Sequence, residues 1–264
     1  ALSPDHQDVV YGTIDGRDLL LDVYLPDGVD VPPLVVWVHG GAWRRGSKEP
    51  IPAGLVENGF AVASLDFRLS TEARFPAQIH DIKAGIRFLR GQSSTFGFQT
   101  ERIAISGRSS GAHLAALVGV TNGHSALEGM VGDHLEESSD VQAIVSYFGA
   151  SNLTTILSQS TPRGLSVRGP ALDLFLGAQP DAEPEIAQLA SPVFHVDADD
   201  PPLLLLHGDQ DPQMPINQSH ELEGRYRLHG LDVHFDVVHG AAHGGPQFFR
   251  NNHLSGALSF LARA

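Results

Sequence analysis

From residue 34 onward, short apolar runs alternate with longer stretches of mixed polarity, and that alternation sets the expected architecture. The runs are LVVWV (34–38), FAVASLDF (60–67), RIAIS (102–106), VQAIVSYF (141–148), PLLLLH (202–207) and DVHFDVV (232–238). Short, nearly continuous apolar segments of this kind read as parallel strands covered on both faces. The stretches between them predict helices over 50–58, 76–91, 110–119, 215–229 and 246–262, the second opened by Pro76 and carrying the periodic IHDIKAGIRFLR. Two earlier runs, VVYGTI (9–14) and DLLLDVYL (18–25), are joined by Asp15-Gly16-Arg17 and predict an N-terminal antiparallel hairpin. The fold class is therefore α/β: an eight-stranded, mostly parallel, doubly wound sheet with helices on both faces.

One segment breaks the rhythm. Residues 149–201 are punctuated by Asn, Pro and Gly, contain LTTIL, ALDLFL and EIAQL, and are too long for a simple crossover, so a small helical, cap-like insertion is expected there. With 264 residues, the chain is read as a single domain, 1–264, carrying that insertion.

Composition narrows the partners. The 31 acidic against 17 basic residues give a formal charge of −14, which repels phosphate backbones and anionic headgroups, so neither nucleic acid nor a membrane surface is an expected partner. PLVVWV and PPLLLL are the longest apolar runs, far short of the roughly 20 residues of a spanning helix. The absence of cysteine excludes thiolate nucleophiles, thiolate metal sites and disulfides, and suits either side of a cell membrane. The opening ALSPDHQ has neither Met nor an apolar signal segment, which fits a cleaved mature chain, hence a secreted or periplasmic one, or a trimmed one. No oligomeric state is legible.

In doubly wound sheets, ligands collect beyond the carboxyl ends of the strands. There the sequence places HGGAW after 34–38, GRSSGAH after 102–106, GDQD after 202–207 and HGAAHGG after 232–238. GRSSG is a GxSxG match that follows a strand and opens a small-residue helix, the context of a nucleophile elbow, with Ser109 at its centre; a helix cap is the alternative reading. His243 lies on a loop suited to a general base, and His239, at the strand end, is its rival. Asp211 is placed to orient that imidazole, whereas Asp209 suits capping the turn. Reading His207, Asp209 and Asp211 as metal ligands fails because Gly208 interrupts the alternation, so neither a metal nor a cofactor is expected. Backbone N–H groups of Gly41, Ala42 and Ser110 are the candidate oxyanion donors. His39 shapes the glycine loop. Trp43 reads equally as a wall of the substrate site or as a packing residue. The chain order Ser109, Asp211, His243 is that of α/β-hydrolases.

Beyond these clusters the chain resembles α/β-hydrolase serine esterases, near the bacterial group that includes bifunctional acetylxylan and feruloyl esterases. The resemblance rests on DVYLPDG (22–28), VVWVHGGAWRRGSK (35–48), FAVASLDFRLS (60–70), FPAQIHDIKAGIRFLR (75–90), GRSSGAHLAALVG (107–119), SPVFHVDADDPPLLLLHGDQDPQMPINQS (191–219) and GAAHGG (240–245). It implies a triad at Ser109, Asp211 and His243, and hydrolysis of small acyl or hydroxycinnamoyl esters, such as acetylated or feruloylated plant polysaccharide. This chain departs from such relatives in having Ser110 and Ala112 where they have Ala and Gly. It also has HGGA where hormone-sensitive-lipase relatives carry a third glycine, and HGGxW resembles kynurenine formamidases as well. An arylformamidase-type amidase and a non-catalytic binding module are the alternative functions. A histidine base must be neutral to act, so activity is expected to fall as pH drops through roughly 6 to 7.

Overall fold

A computed structural model describes residues 2–264. Strands β1 (His6–Ile14) and β2 (Arg17–Tyr24) form the antiparallel hairpin, followed by β3 (Leu34–Val38), β4 (Ala61–Leu65), β5 (Ile103–Arg108), β6 (Ala143–Tyr147), β7 (Leu203–Gly208) and β8 (Val233–Val238). Their order across the sheet is β1-β2-β4-β3-β5-β6-β7-β8. β2 runs antiparallel to β4, and the pairs from β4 through β8 are parallel.

Every residue of β3, β4, β6 and β7 is buried, because helices cover both faces. Side chains alternate along each strand, so Val36 and Val38 join one apolar core while Val35 and Trp37 join the other. This two-sided burial is why these strands read as continuous apolar runs rather than alternating ones.

The helices Ala77–Gly91, Ser110–Gly119 and Asn217–Leu228 lie within two residues of the expected spans. The helix expected at 50–58 is a correction: only a short 3₁₀ turn, Val56–Asn58, forms there. Pro50 and Pro52 lack the N–H groups that a continuous helix needs. The helix expected at 246–262 is split into a 3₁₀ turn at Pro246–Phe249 and a helix at Asn251–Arg263, because Arg250 between them is extended (φ −148°, ψ 167°).

Within 149–201 the chain forms helices at Ile156–Gln159, Pro162–Leu176 and Pro184–Leu189, then a 3₁₀ turn at Pro192–Phe194. The longest has a clear start: Thr161 Oγ1 accepts the Gly164 N–H at 3.0 Å, and Pro162 occupies the first turn, where its missing donor costs nothing. Its Phe175 stacks on Trp43 with ring centroids 4.8 Å apart, which fastens the segment to the loop after β3. Among the described residues, no helix is long and apolar enough to cross a membrane.

Candidate active site

The turn after β5 is tight. Ser109 adopts φ 53°, ψ −123°, a conformation few non-glycine residues tolerate, and it persists because both flanks are tied down. Its N–H donates to Tyr147 O at 2.9 Å, extending the sheet, while its carbonyl accepts the His113 N–H at 3.1 Å, starting the helix. Glycine is required at 111, where a Cβ would collide with the Val38 and His39 carbonyl oxygens. The Ala112 methyl is accommodated because residue 149 is glycine, whose Cβ would come within 2.7 Å of it. The Ser110 hydroxyl makes no hydrogen bond among the described residues, and nothing in the structure explains it.

Three strand ends converge at this turn. His243, on the loop after β8, has its Nε2 at 2.9 Å from Ser109 Oγ and its Nδ1 at 2.7 Å from Asp211 Oδ2. An ionised carboxylate only accepts, so Nδ1 carries the proton, and Nε2 is free to accept from the serine hydroxyl. Asp211 itself is immobilised: its Oδ1 accepts the N–H groups of Gln213 and Met214, each at 2.9 Å. Burial pushes the Asp211 carboxyl up, but hydrogen bonds from His207, His243 and Met214 outweigh it and hold the group well below the usual carboxylate range. The site thus keeps a buried anion beside an imidazole aimed at a hydroxyl, an arrangement that lets a serine oxygen attack a carbonyl.

The rival residues take other places. Asp209 accepts the Gly240 N–H at 2.8 Å and so caps the turn, as expected. His239, the rival base at the strand end, has a side chain 83% exposed that pairs with Asp209 at 2.9 Å. His207, weighed as a metal ligand, is wholly buried, with Nδ1 at 2.7 Å from Ser219 Oγ and Nε2 at 2.9 Å from Met214 O. Both ring nitrogens are committed, and Nε2 also leans on Asp211 Oδ2 at 3.4 Å, so His207 steadies that carboxylate. His39 Nδ1–H donates to Gly40 O at 2.7 Å, and its ring stacks on Phe67, which shapes the glycine loop.

That loop turns its backbone through left-handed conformations at Ala42 (φ 54°) and Trp43 (φ 61°). Among the described residues, the N–H groups of Gly41, Ala42 and Ser110 donate to no protein acceptor. Gly41 and Ala42 border, with Ser109 and His243, a cleft of about 420 Å³. Trp43 does not border it, which corrects its reading as a substrate wall: the side chain is 1% exposed, and its Nε1–H donates to His113 Nδ1 at 3.0 Å. Since Nδ1 accepts, the His113 Nε2–H donates to Ala190 O at 2.6 Å, joining the β3 loop, the Ser110–Gly119 helix and the 149–201 segment. Burial in this position pushes His113 down to about 4.

Several cleft residues are not singled out by the sequence, among them Arg45, Phe148, Arg108 and Arg168. Phe148, which packs edge-on against His243 at 4.8 Å, follows a strand and could have been found by inspecting the end of β6. Arg108 lies inside GRSSG, where the adjacent serines carry the stronger signal. Arg168 reaches the cleft from the Pro162–Leu176 helix, lies 5.9 Å over the Trp43 ring, and carries no local signal. Burial lowers its pKa to about 10, against the opposing pull of Asp211, and it stays charged at neutral pH.

The chain is similar to known esterases in sequence and in fold. The chain is 32% identical over 230 residues to the esterase LipQ of Mycobacterium tuberculosis, covering 83% of this chain and 52% of LipQ. It spans about half the length of the curated relatives it matches, with 52%, 59% and 49% of three mycobacterial proteins covered. Among solved structures, a truncated carbohydrate esterase from gut microbiota superposes with a TM-score of 0.87 at 32% identity, covering 97% of this chain and 94% of that one. A bifunctional GH43-CE protein of Bacteroides eggerthii gives 0.86 at 34% identity, covering 97% and 37%. The BD-FAE profile matches residues 21–226, most of the chain. With that match, the eight-stranded sheet and the strand-end clusters in hand, the chain belongs to the BD-FAE family and has the α/β-hydrolase fold.

Proposed function

We propose that the chain is a serine carboxylic-ester hydrolase that works through an acyl-enzyme. The observation that carries this reading is the unbroken hydrogen-bonded line from Ser109 Oγ through His243 to Asp211, at 2.9 and 2.7 Å, at the open edge of a cleft. His243 Nε2 takes the Ser109 proton as Oγ attacks the ester carbonyl, and Asp211 stabilises the imidazolium that forms. The N–H groups of Gly41, Ala42 and Ser110 receive the oxyanion, each contributing about 3 kcal/mol in the transition state. The C–O bond to the alcohol then breaks, and the alcohol leaves with the proton held by His243. Water, deprotonated by the same histidine, attacks the acyl-enzyme and releases the acid. Esterase relatives and a carbohydrate-esterase neighbour support ester hydrolysis, and small acyl or hydroxycinnamoyl esters of polysaccharide are the substrates we favour.

The test uses p-nitrophenyl acetate and a fluorophosphonate probe. Ser109→Ala abolishes both turnover and labelling, while Ser110→Ala keeps substantial activity, since residue 110 contributes only its backbone N–H. A dead Ser110→Ala beside an active Ser109→Ala would overturn the assignment. A panel of acetylated xylan and hydroxycinnamate esters then ranks the substrates.

A further inference from the structure

The molecule is strongly acidic, with a formal charge of −14, yet its cleft is lined by three arginines, Arg45, Arg108 and Arg168, and by no Asp or Glu. Four of the twelve arginines outside the cleft meet carboxylates: Arg17 with Glu72, Arg68 with Asp81, Arg87 with Glu128 and Arg227 with Glu223. Among the described residues, none of the three cleft arginines is in such a pair.

Arg168 is the most demanding of them. Its side chain is 1% exposed, one guanidinium nitrogen, Nη2, donates to Gln213 O at 3.0 Å, and its Nε has no partner among the described residues. A buried cation with no anion in contact is costly, and the pull of Asp211, one carbonyl and the Trp43 face return only part of that cost. A guanidinium presents a fork of donors that matches a carboxylate. Arg45 and Arg108 are exposed, and they add positive potential at the same opening.

The side of the cleft follows from the backbone. Arg168 is fixed to Gln213, two residues beyond Asp211, and so stands on the flank from which His243 approaches. That is the flank where the alcohol leaves with the histidine's proton. We infer that the cleft takes esters whose alcohol part carries a carboxylate, seated on Arg168 and drawn in by Arg45 and Arg108. The inference rests on the ester-hydrolase reading above.

Two aryl acetates of nearly equal size separate the outcomes: 4-acetoxybenzoate, which is anionic, and 4-acetoxybenzamide, which is neutral. The native chain is expected to favour the anion in kcat/KM by about tenfold or more at low salt, the worth of one charge-assisted contact. That ratio shrinks as salt is added and collapses towards one in Arg168→Gln. Because a buried arginine is replaced there, the surface double variant Arg45→Gln, Arg108→Gln provides a second check, and it lowers the ratio without touching the core. Equal kcat/KM for the two esters in the native chain, or a preference that survives both variants, would overturn the inference while leaving the hydrolase reading intact. If neither ester is turned over and the fluorophosphonate fails to label Ser109, both readings fall.

Discussion

The chain contains two histidine–aspartate pairs between the same two loops, and they differ in nearly everything except composition. His243 and Asp211 are 2.7 Å apart with side chains 16% and 0% exposed; His239 and Asp209 are 2.9 Å apart with side chains 83% and 32% exposed. The first pair is aligned on a serine, and its carboxylate is held by two backbone N–H groups besides. The second closes a turn in water, where solvent and salt screen it. Residue type and pairing alone therefore do not distinguish the two. Burial and a hydroxyl in line with the second ring nitrogen set apart the pair we propose as catalytic.

The strongest way to break this comparison is to treat both aspartates alike. Asp211→Asn is expected to lower kcat for p-nitrophenyl acetate by on the order of 10⁴, because the amide no longer fixes the imidazole tautomer. Asp209→Asn is expected to change it by less than about threefold. Losses of equal size would show that the exposed pair shares in the chemistry.

A smaller effect extends the contrast to His113, which is wholly enclosed. Its folded pKa of about 4 lies below the ordinary 6.5, so between these values the unfolded chain binds the extra proton. The contribution of His113 to stability is thus complete above pH 6.5 and is lost as pH falls through about 4. Urea unfolding across this window should show a decline on the order of 3 kcal/mol from this residue. His113→Gln, which can still accept from Trp43 and donate to Ala190, should flatten it. An unchanged slope in the variant would remove His113 as its source.

The smallest effect concerns the loop on the other flank of Ser109. Ala42 sits at φ 54°, where a side chain costs about 1–2 kcal/mol and where glycine does not, though glycine loses more entropy on folding. Ala42→Gly is expected to raise the unfolding free energy by up to about 1 kcal/mol. A measured loss would mean that the methyl packs more usefully than the strained backbone harms.

Much of the fold was legible because its signals are local. Parallel strands buried on both faces must be apolar throughout, so LVVWV and PLLLLH announce themselves, and the elbow is written within one strand, turn and helix. Pro50 and Pro52 prevent the helix expected at 50–58, and the split at Arg250 has no local marker. By itself, then, the sequence determined the sheet, most of the helices around it, and the strand ends that carry the candidate site, since these follow from hydrophobic period and turn residues. Only the tertiary structure decided which partners meet there. His243 lies 32 residues from Asp211 and 134 from Ser109, so their alignment depends on loop paths set by packing. The same packing turned Trp43 into the core and drew Arg168 to the cleft, across distances no sequence period encodes.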